Sequence, residues 1–306
     1  MSAVDLRVEF AGLRLKNPVI AASGTFGYGV EFAELVDLNR LGGLVVKGLS
    51  AQPMDGAPAP RLAETASGML NAVGLQNIGV RRFIEEKLPA LRAFDTTVIA
   101  NVFGHTPEEY AEVIEQLNRA EGVAAYELNI SCPNVKKGGA QFGLDPQLTR
   151  EVVAGAKRVA ARPLIVKLSP NVADITVLAR AAEEAGADAL SLVNTFPGMA
   201  IDLAARRPRL GLPTGGLSGP AIKPLALRLV WEAARAVRIP VIGLGGIATG
   251  EDAAEFLVVG ARAVQVGTAS FANPAATLRI VDELETYCRS SGIAAVSSLV
   301  STLRTN

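Results

Sequence analysis

A (β/α)8 TIM barrel is the fold that three features of this sequence predict. Eight short apolar runs alternate with helix-patterned segments from one end of the chain to the other. The runs are continuous and rich in β-branched residues rather than alternating, as parallel strands covered on both faces are. Polar side chains recur where the runs end, and Gly-rich turns follow the last two. That edge is where barrels build their active sites.

The strands are predicted at residues 19–22, 43–47, 97–101, 125–129, 164–168, 189–193, 241–244 and 263–266. Before them, residues 4–10 turn at Ala11-Gly12 into 13–15, an N-terminal β-hairpin expected to close the barrel bottom. Helices are expected over 108–120, 148–161, 173–185, 222–237, 251–259 and 275–288, with Gly186 as a stop signal for the third. Three connections exceed an ordinary strand-to-helix turn: 48–79, 131–145 and 194–220. All three follow strand ends, so long loops over the carboxyl-end face are expected to carry function or form lids. Barrels of this length are often one domain, and no linker or low-complexity tract divides residues 1–306, so a single domain is expected.

Composition removes several function classes. Thirty basic and thirty acidic side chains balance, without the basic excess of a nucleic-acid binder. No apolar run approaches the ~18 residues of a membrane span. Met1 to Asp5 lacks the basic segment and apolar stretch of a secretory signal, which points to a reducing cytosol. The two cysteines, Cys132 and Cys288, lie 156 positions apart and fit neither a metal-site spacing nor a disulfide framework. The single histidine, His105, rules out a three-histidine zinc site. It precedes Thr106-Pro107-Glu108-Glu109, a helix-start pattern, and reads as a loop residue. No metal is expected.

The chemistry concentrates at predicted strand ends. Asn129-Ile130-Ser131-Cys132-Pro133-Asn134 brings a thiol, two amides and a hydroxyl to the point where the fourth strand gives way to a Gly- and Lys-rich loop. A packing cysteine belongs within an apolar face, and Cys132 does not sit in one. Lys47, Asn101, Asn129, Lys167 and the pair Asn194-Thr195 mark the ends of five further or neighbouring runs. Barrel closure brings them to one mouth. The two lysines are open to two readings, a Schiff-base nucleophile or counter-charges to an anionic cofactor or substrate. The nearby amide-rich segment 71–77 favours a planar carboxylate substrate, with Cys132 as its base. Gly243-Leu244-Gly245-Gly246 after the seventh strand and Gly267-Thr268 after the eighth are expected to form a phosphate cup from backbone amides. The first of these loosely matches a dinucleotide fingerprint, but the acidic residue expected about 20 positions on is missing.

These residues resemble those of a dihydroorotate dehydrogenase of family 1, the cysteine-dependent form, over essentially the whole chain. Residues 129–134 and 71–77 resemble its catalytic and orotate-binding segments. Residues 22–28, 136–139 and 216–224 resemble the class 1B catalytic subunit. The resemblance implies FMN as cofactor. Ser23, Lys47, Gly48, Asn101, Asn129, Lys167, Val193 and Gly219 would line the flavin, and Gly245, Gly246, Gly267 and Thr268 would hold its phosphate. Lys47, Asn71, Ala72, Val73, Gly74, Leu75, Asn129, Asn134, Asn194 and Thr195 would contact orotate. Cys132 would take the C5 proton of dihydroorotate as a hydride leaves C6 for the flavin, with Lys47 assisting catalysis.

The resemblance also implies a partner subunit carrying FAD and a [2Fe-2S] cluster that passes electrons to NAD+. The assembly would be a heterotetramer built on a homodimer of this chain. Two cysteines could not hold that cluster. Rival readings are a class 1A homodimer that reduces fumarate, a dihydropyrimidine dehydrogenase module, a phosphate-sugar lyase with a Schiff base at Lys167, and a non-catalytic FMN-binding barrel.

Overall fold

The computed structural model describes residues 4–130 and 142–305. Eight parallel strands close into a barrel in chain order. They are Val19–Ala21, Gly43–Val45, Thr97–Val102, Ala125–Asn129, Leu164–Lys167, Ala189–Leu192, Val241–Leu244 and Ala263–Val266. Each predicted run lies on one of them, with ends moved by a residue or two. The eighth strand pairs back onto the first through Val264↔Val19 and Val266↔Ala21, which completes the ring. Most strand residues are fully buried, because helices cover the outside and side chains fill the inside.

The helices form where a polar cap precedes an apolar stripe. Asp145 accepts from the amides of Gln147 and Leu148, and Pro146–Val159 follows. Its buried Thr149, Val152, Val153 and Ala156 recur at helical spacing and pack inward. Thr106 starts Pro107–Asn118, and Thr249 with Asp252 forms a capping box on Gly250–Val258. After Ile175–Glu184, the amide of Gly186 donates to Glu183 and that of Ala187 to Ala182, so the predicted glycine stop is present. Helices Lys223–Ala236 and Ala276–Ser290 complete the predicted set. A further turn-rich helical stretch, Val80–Arg82, Phe83–Lys87 and Leu88–Leu91, has no counterpart among the expectations. Pro89 interrupts its periodicity.

The N-terminal hairpin pairs Val8–Phe10 with Leu13–Leu15. Glu9, Phe10 and Ala11 border a recess shared with Pro240 and Val241, at the amino end of the seventh strand. The hairpin therefore sits at the barrel's bottom, as expected.

Two of the three long connections meet at the other end. The one after the second strand contributes Leu62–Thr65 and Gly68–Asn71, and the one after the sixth contributes Phe196–Gly198 and Gly215–Ser218. Together they form one four-stranded antiparallel sheet, joined at Gly216↔Asn71, Leu217↔Leu70 and Ser218↔Met69. Gly216 is required there, since a Cβ would lie 2.1 Å from Thr195 Oγ1. Ala63, Leu70, Ala72 and Leu210 give this sheet a small apolar core of its own. Most of the third long connection lies outside the described residues. Among the described residues, no helix is long and apolar enough to cross a membrane, and no group of three or more His, Cys, Asp or Glu could hold a metal ion.

Candidate active site

Between the carboxyl ends of the barrel strands and the antiparallel sheet lies a cleft of about 540 Å³. That volume is in the range of small-molecule sites. Its wall contains Ser23, Lys47, Asn71, Val73, Lys167, Val193, Asn194, Thr195, Gly219, Gly245, Gly246, Gly267 and Thr268 from the residues singled out in the sequence. Segments far apart in the chain meet here because every barrel strand ends on this face.

Gly48, Asn101 and Asn129 are set back from the cleft wall. Asn101 is buried, and its Nδ2 donates to Glu127 Oε1 at 2.8 Å. Asn129 is half-buried at a strand end in register with Lys167, and its carbonyl accepts from Tyr110 Oη at 2.9 Å. A Cβ on Gly48 would come within 2.9 Å of Asn101 Oδ1. Ala72, Gly74 and Leu75 also stand behind the wall. The Ala72 amide donates to the Arg61 carbonyl, the Leu75 carbonyl accepts from Asn77 Nδ2, and Gly74 packs on Ala57. These contacts hold the loop that carries Asn71 and Val73. Cys132 and Asn134 lie outside the described residues.

The cleft has a polar floor. Glu127, fully buried in the fourth strand, accepts from Asn101 Nδ2, from Ser191 Oγ at 2.9 Å and from Gln265 Nε2 at 2.6 Å. Lys167 Nζ lies 3.8 Å from Glu127 Oε1. The fourth and eighth strands face each other across the eight-membered ring, so the Glu127–Gln265 bond crosses the barrel interior. Among the expectations, Glu127, Ser191 and Gln265 are missing. A signal was present: each is a lone polar residue inside an otherwise apolar strand, on the same alternating face as a strand-end residue. Thr25 and Arg279 also line the cleft without having been anticipated.

One end of the cleft is a glycine cradle. Gly245 and Gly246 adopt φ of 123° and 83°, and a Cβ on Gly246 would lie 2.8 Å from the Lys223 amide nitrogen. Gly267 differs, because its added Cβ would meet only ordinary contacts, the nearest at 3.6 Å. Thr268 Oγ1 donates to Ser218 Oγ at 2.8 Å, which ties the cradle to the covering sheet. Behind it, Lys223 Nζ reaches Asp252 at 2.6 Å and Glu255 at 2.9 Å. Asp252 Oδ2 also accepts from the amides of Ala248 and Thr249. Burial pulls the Lys223 ammonium down, but its two carboxylate partners outweigh that and hold its pKa above the ordinary value. Burial pushes Asp252 up, yet Lys223 and the two amides hold it below the usual carboxylate range. The ion pair thus clamps the loop that carries Gly246.

Two other side chains of reactive type, His105 and Cys288, are passive. His105 sits in the loop before the helix, its amide donating to Glu109 and its ring edge-on to Phe103. Cys288 is fully buried in the last long helix, where burial pushes its thiol pKa up, so it offers no nucleophile.

A closed parallel barrel with a covered, lysine-bearing cleft and a glycine cradle at the carboxyl ends of its strands defines an enzyme of the (β/α)8 class. The model of the family "Dihydroorotate dehydrogenase" matches residues 5–287. A protein of Solibacter usitatus, provisionally named dihydroorotate dehydrogenase A (fumarate), is 64% identical over 98% of this chain and 99% of its own length. The dihydroorotate dehydrogenase B (NAD(+)) catalytic subunit of Geotalea uraniireducens is 56% identical over the full length of both chains. Its counterpart in Geobacter sulfurreducens is 57% identical over 99% of each. The crystal structure of a DHODH from Eimeria tenella in complex with ferulenol shares the fold, with a TM-score of 0.81, 22% identity, and coverage of 97% of this chain and 88% of that one. The chain belongs to the dihydroorotate dehydrogenase family.

Proposed function

We propose that this chain oxidises (S)-dihydroorotate to orotate in pyrimidine biosynthesis, with FMN in the cleft and NAD+ as final acceptor. Residues 1–306 act as one catalytic domain in the cytosol. The observation that carries this reading is the pairing of a cation-lined cleft with a glycine cradle, in a chain of this family.

The residues fit FMN on two counts. Lys47 and Lys167 set two cationic side chains in the cleft lining, which suits an anionic, polar ligand. Gly267 is not demanded by its own backbone or neighbours, so its missing side chain leaves room for an anion rather than for the fold. FMN when bound supplies the acceptor for the hydride that leaves C6 of the substrate. Gly245, Gly246, Gly267 and Thr268 would hold the phosphate. Ser23, Lys47, Gly48, Asn101, Asn129, Lys167, Val193 and Gly219 would shape the ring site. Lys47, Asn71 to Leu75, Asn129, Asn134, Asn194 and Thr195 would orient the substrate's carboxylate and amide edge. Cys132 would remove the C5 proton, a role that needs the thiolate. Lys47 would stabilise the negative charge that develops as that proton leaves.

Replacing Gly267 with valine is expected to weaken FMN binding while the protein still folds. Overpacking of this kind costs about 1–3 kcal/mol, or roughly 5- to 150-fold in affinity. Flavin fluorescence titration of the apoprotein measures it, and unchanged affinity in a folded variant would remove the phosphate from this cradle. Gly246 is a poorer probe, because its positive φ and the nearby Lys223 backbone would strain the fold itself.

The electron acceptor divides two readings. Relatives named as NAD(+) catalytic subunits support a partner subunit, and our reading gives that partner FAD and [2Fe-2S] within a heterotetramer. The relative named for fumarate supports fumarate as the acceptor, which in the alternative reading is reduced by a homodimer of this chain alone. The isolated chain is expected to reduce dyes with dihydroorotate but to reduce NAD+ poorly until a partner is added. Fast NAD+ reduction by the chain alone would contradict the two-subunit reading, and fast fumarate reduction would favour the homodimer.

A further inference from the structure

We infer that Lys223 and Asp252 are positioning residues that make the cleft select a phosphorylated flavin over riboflavin. This rests on the FMN reading above and concerns two residues which that reading does not use. The glycine cradle has two walls. The first is the turn after the seventh strand, from Gly245 to Thr249. The second is the turn from Gly219 to Ile222 that leads into helix Lys223–Ala236. The walls meet at Gly246, where an added Cβ would lie 2.8 Å from the Lys223 amide nitrogen and 2.9 Å from the Gly219 carbonyl oxygen. Gly219, Gly245, Gly246 and Ala248 line the cleft, whereas Lys223 and Asp252 do not. Whatever the pair does to a ligand therefore passes through the walls.

One carboxylate fastens the two walls together. Asp252 Oδ1 takes the Lys223 ammonium at 2.6 Å, from the second wall. Its Oδ2 accepts from the amides of Ala248 at 2.8 Å and Thr249 at 2.9 Å, in the first wall. Asp252 is itself fixed, because its own amide donates to Thr249 Oγ1 within the capping box. The Glu255 carboxylate holds the same ammonium at 2.9 Å but, among the described residues, accepts from no amide of the turn. Two carboxylates around one ammonium leave Lys223 no surplus charge to attract a phosphate. The other cation at this turn, Arg279, donates to the Ala248 carbonyl and is paired with Glu283. The attraction falls to the backbone amides of the cradle, and successive amides make an anion-binding concavity only while their directions are held. A phosphate gains from amides so held, because hydrogen bonds to a charged group are the stronger kind. The neutral hydroxyl end of riboflavin gains little.

FMN and riboflavin share the ring and the ribityl chain and differ by the phosphate, so the ratio of their affinities reads the cradle. Both are titrated by fluorescence into apoprotein of the full chain, with circular dichroism confirming the fold of each variant. Wild type is expected to prefer FMN. Asp252→Asn keeps the side chain's shape but cannot serve both walls: with its oxygen on the two amides, its NH2 group faces the ammonium. Lys223→Met releases the pair from the second wall. Each is expected to lower the preference by about tenfold, the effect of losing a hydrogen bond to a charged group, while riboflavin affinity holds. Glu255→Gln is expected to keep the preference or raise it, because it removes a negative charge without freeing the turn.

An unchanged preference in folded Asp252→Asn and Lys223→Met overturns the inference and leaves FMN binding in place. Equal weakening of both flavins overturns it as well, since a merely structural role would act on both. Stronger FMN binding in Asp252→Asn, matching Glu255→Gln, would reduce the carboxylate to charge repulsion and overturn the positioning role. If neither Asp252→Asn nor Lys223→Met folds, the pair is a requirement of the fold and the inference falls. Wild type that binds both flavins alike removes the phosphate from the cradle. Wild type that binds neither overturns the cofactor reading, and the inference falls with either result.

Discussion

Cys132→Ala is expected to keep FMN bound but to slow flavin reduction by dihydroorotate by about 10²–10⁴-fold, the usual loss when a general base is removed. The chain has one histidine and two cysteines. His105 is tied into a helix start, and Cys288 is buried with its thiol held neutral by desolvation. In the sequence Cys132 comes three positions after Asn129, the last residue of the fourth strand, which is in register with the cleft residue Lys167. An ordinary cysteine has a pKa of about 8.5, so the wild-type rate should climb as pH rises toward mildly alkaline values and the thiolate forms. Cys132→Ser should retain a little activity that grows with pH, since a hydroxyl is a far weaker acid. Single-turnover bleaching of the flavin band reads all three proteins. Bleaching at the wild-type rate in Cys132→Ala would eliminate it as the base.

The second large effect is expected at Lys47. Its side chain lines the cleft, and a Cβ built on Gly24 would lie 3.8 Å from its Nζ. It stands at the cleft wall with Ser23 and Asn71, where the substrate's carboxylate and the charge developing on deprotonation would both be near. Lys47→Met keeps most of the stem and removes the charge. Losing one such stabilising donor lowers kcat by about 10²–10³-fold. Removal of the carboxylate's partner should also raise KM. Steady-state kinetics with a dye acceptor would separate the two. A variant that loses only KM confines Lys47 to binding, and one with unchanged kcat/KM removes it from the mechanism.

Much of the cleft was legible in the sequence because barrel topology makes strand ends converge whatever their spacing. Lys47, Lys167, Asn194 and Thr195 needed only correct strand ends, and the glycines at 245, 246 and 267 needed only the order of the strands. The hairpin, the capped helices and the Gly186 stop follow local rules of one or two turns, which neighbouring residues suffice to set. The loops at 48–79 and 194–220 were recognisable as long, but not as partners. Their pairing into one sheet depends on Gly216 meeting Asn71 across 145 positions of chain, and no local pattern encodes such a meeting.

The sequence by itself determined the barrel, the face that carries chemistry and the residue types available there, since each rests on periodicity, turn residues or composition. The tertiary structure alone decided which polar groups share the floor. Glu127, Ser191 and Gln265 come from the fourth, sixth and eighth strands, and only closure of the ring sets them within hydrogen-bond reach. It also decided that Asn101 donates to Glu127, because a buried carboxylate must draw its donors from the side chains the ring places around it.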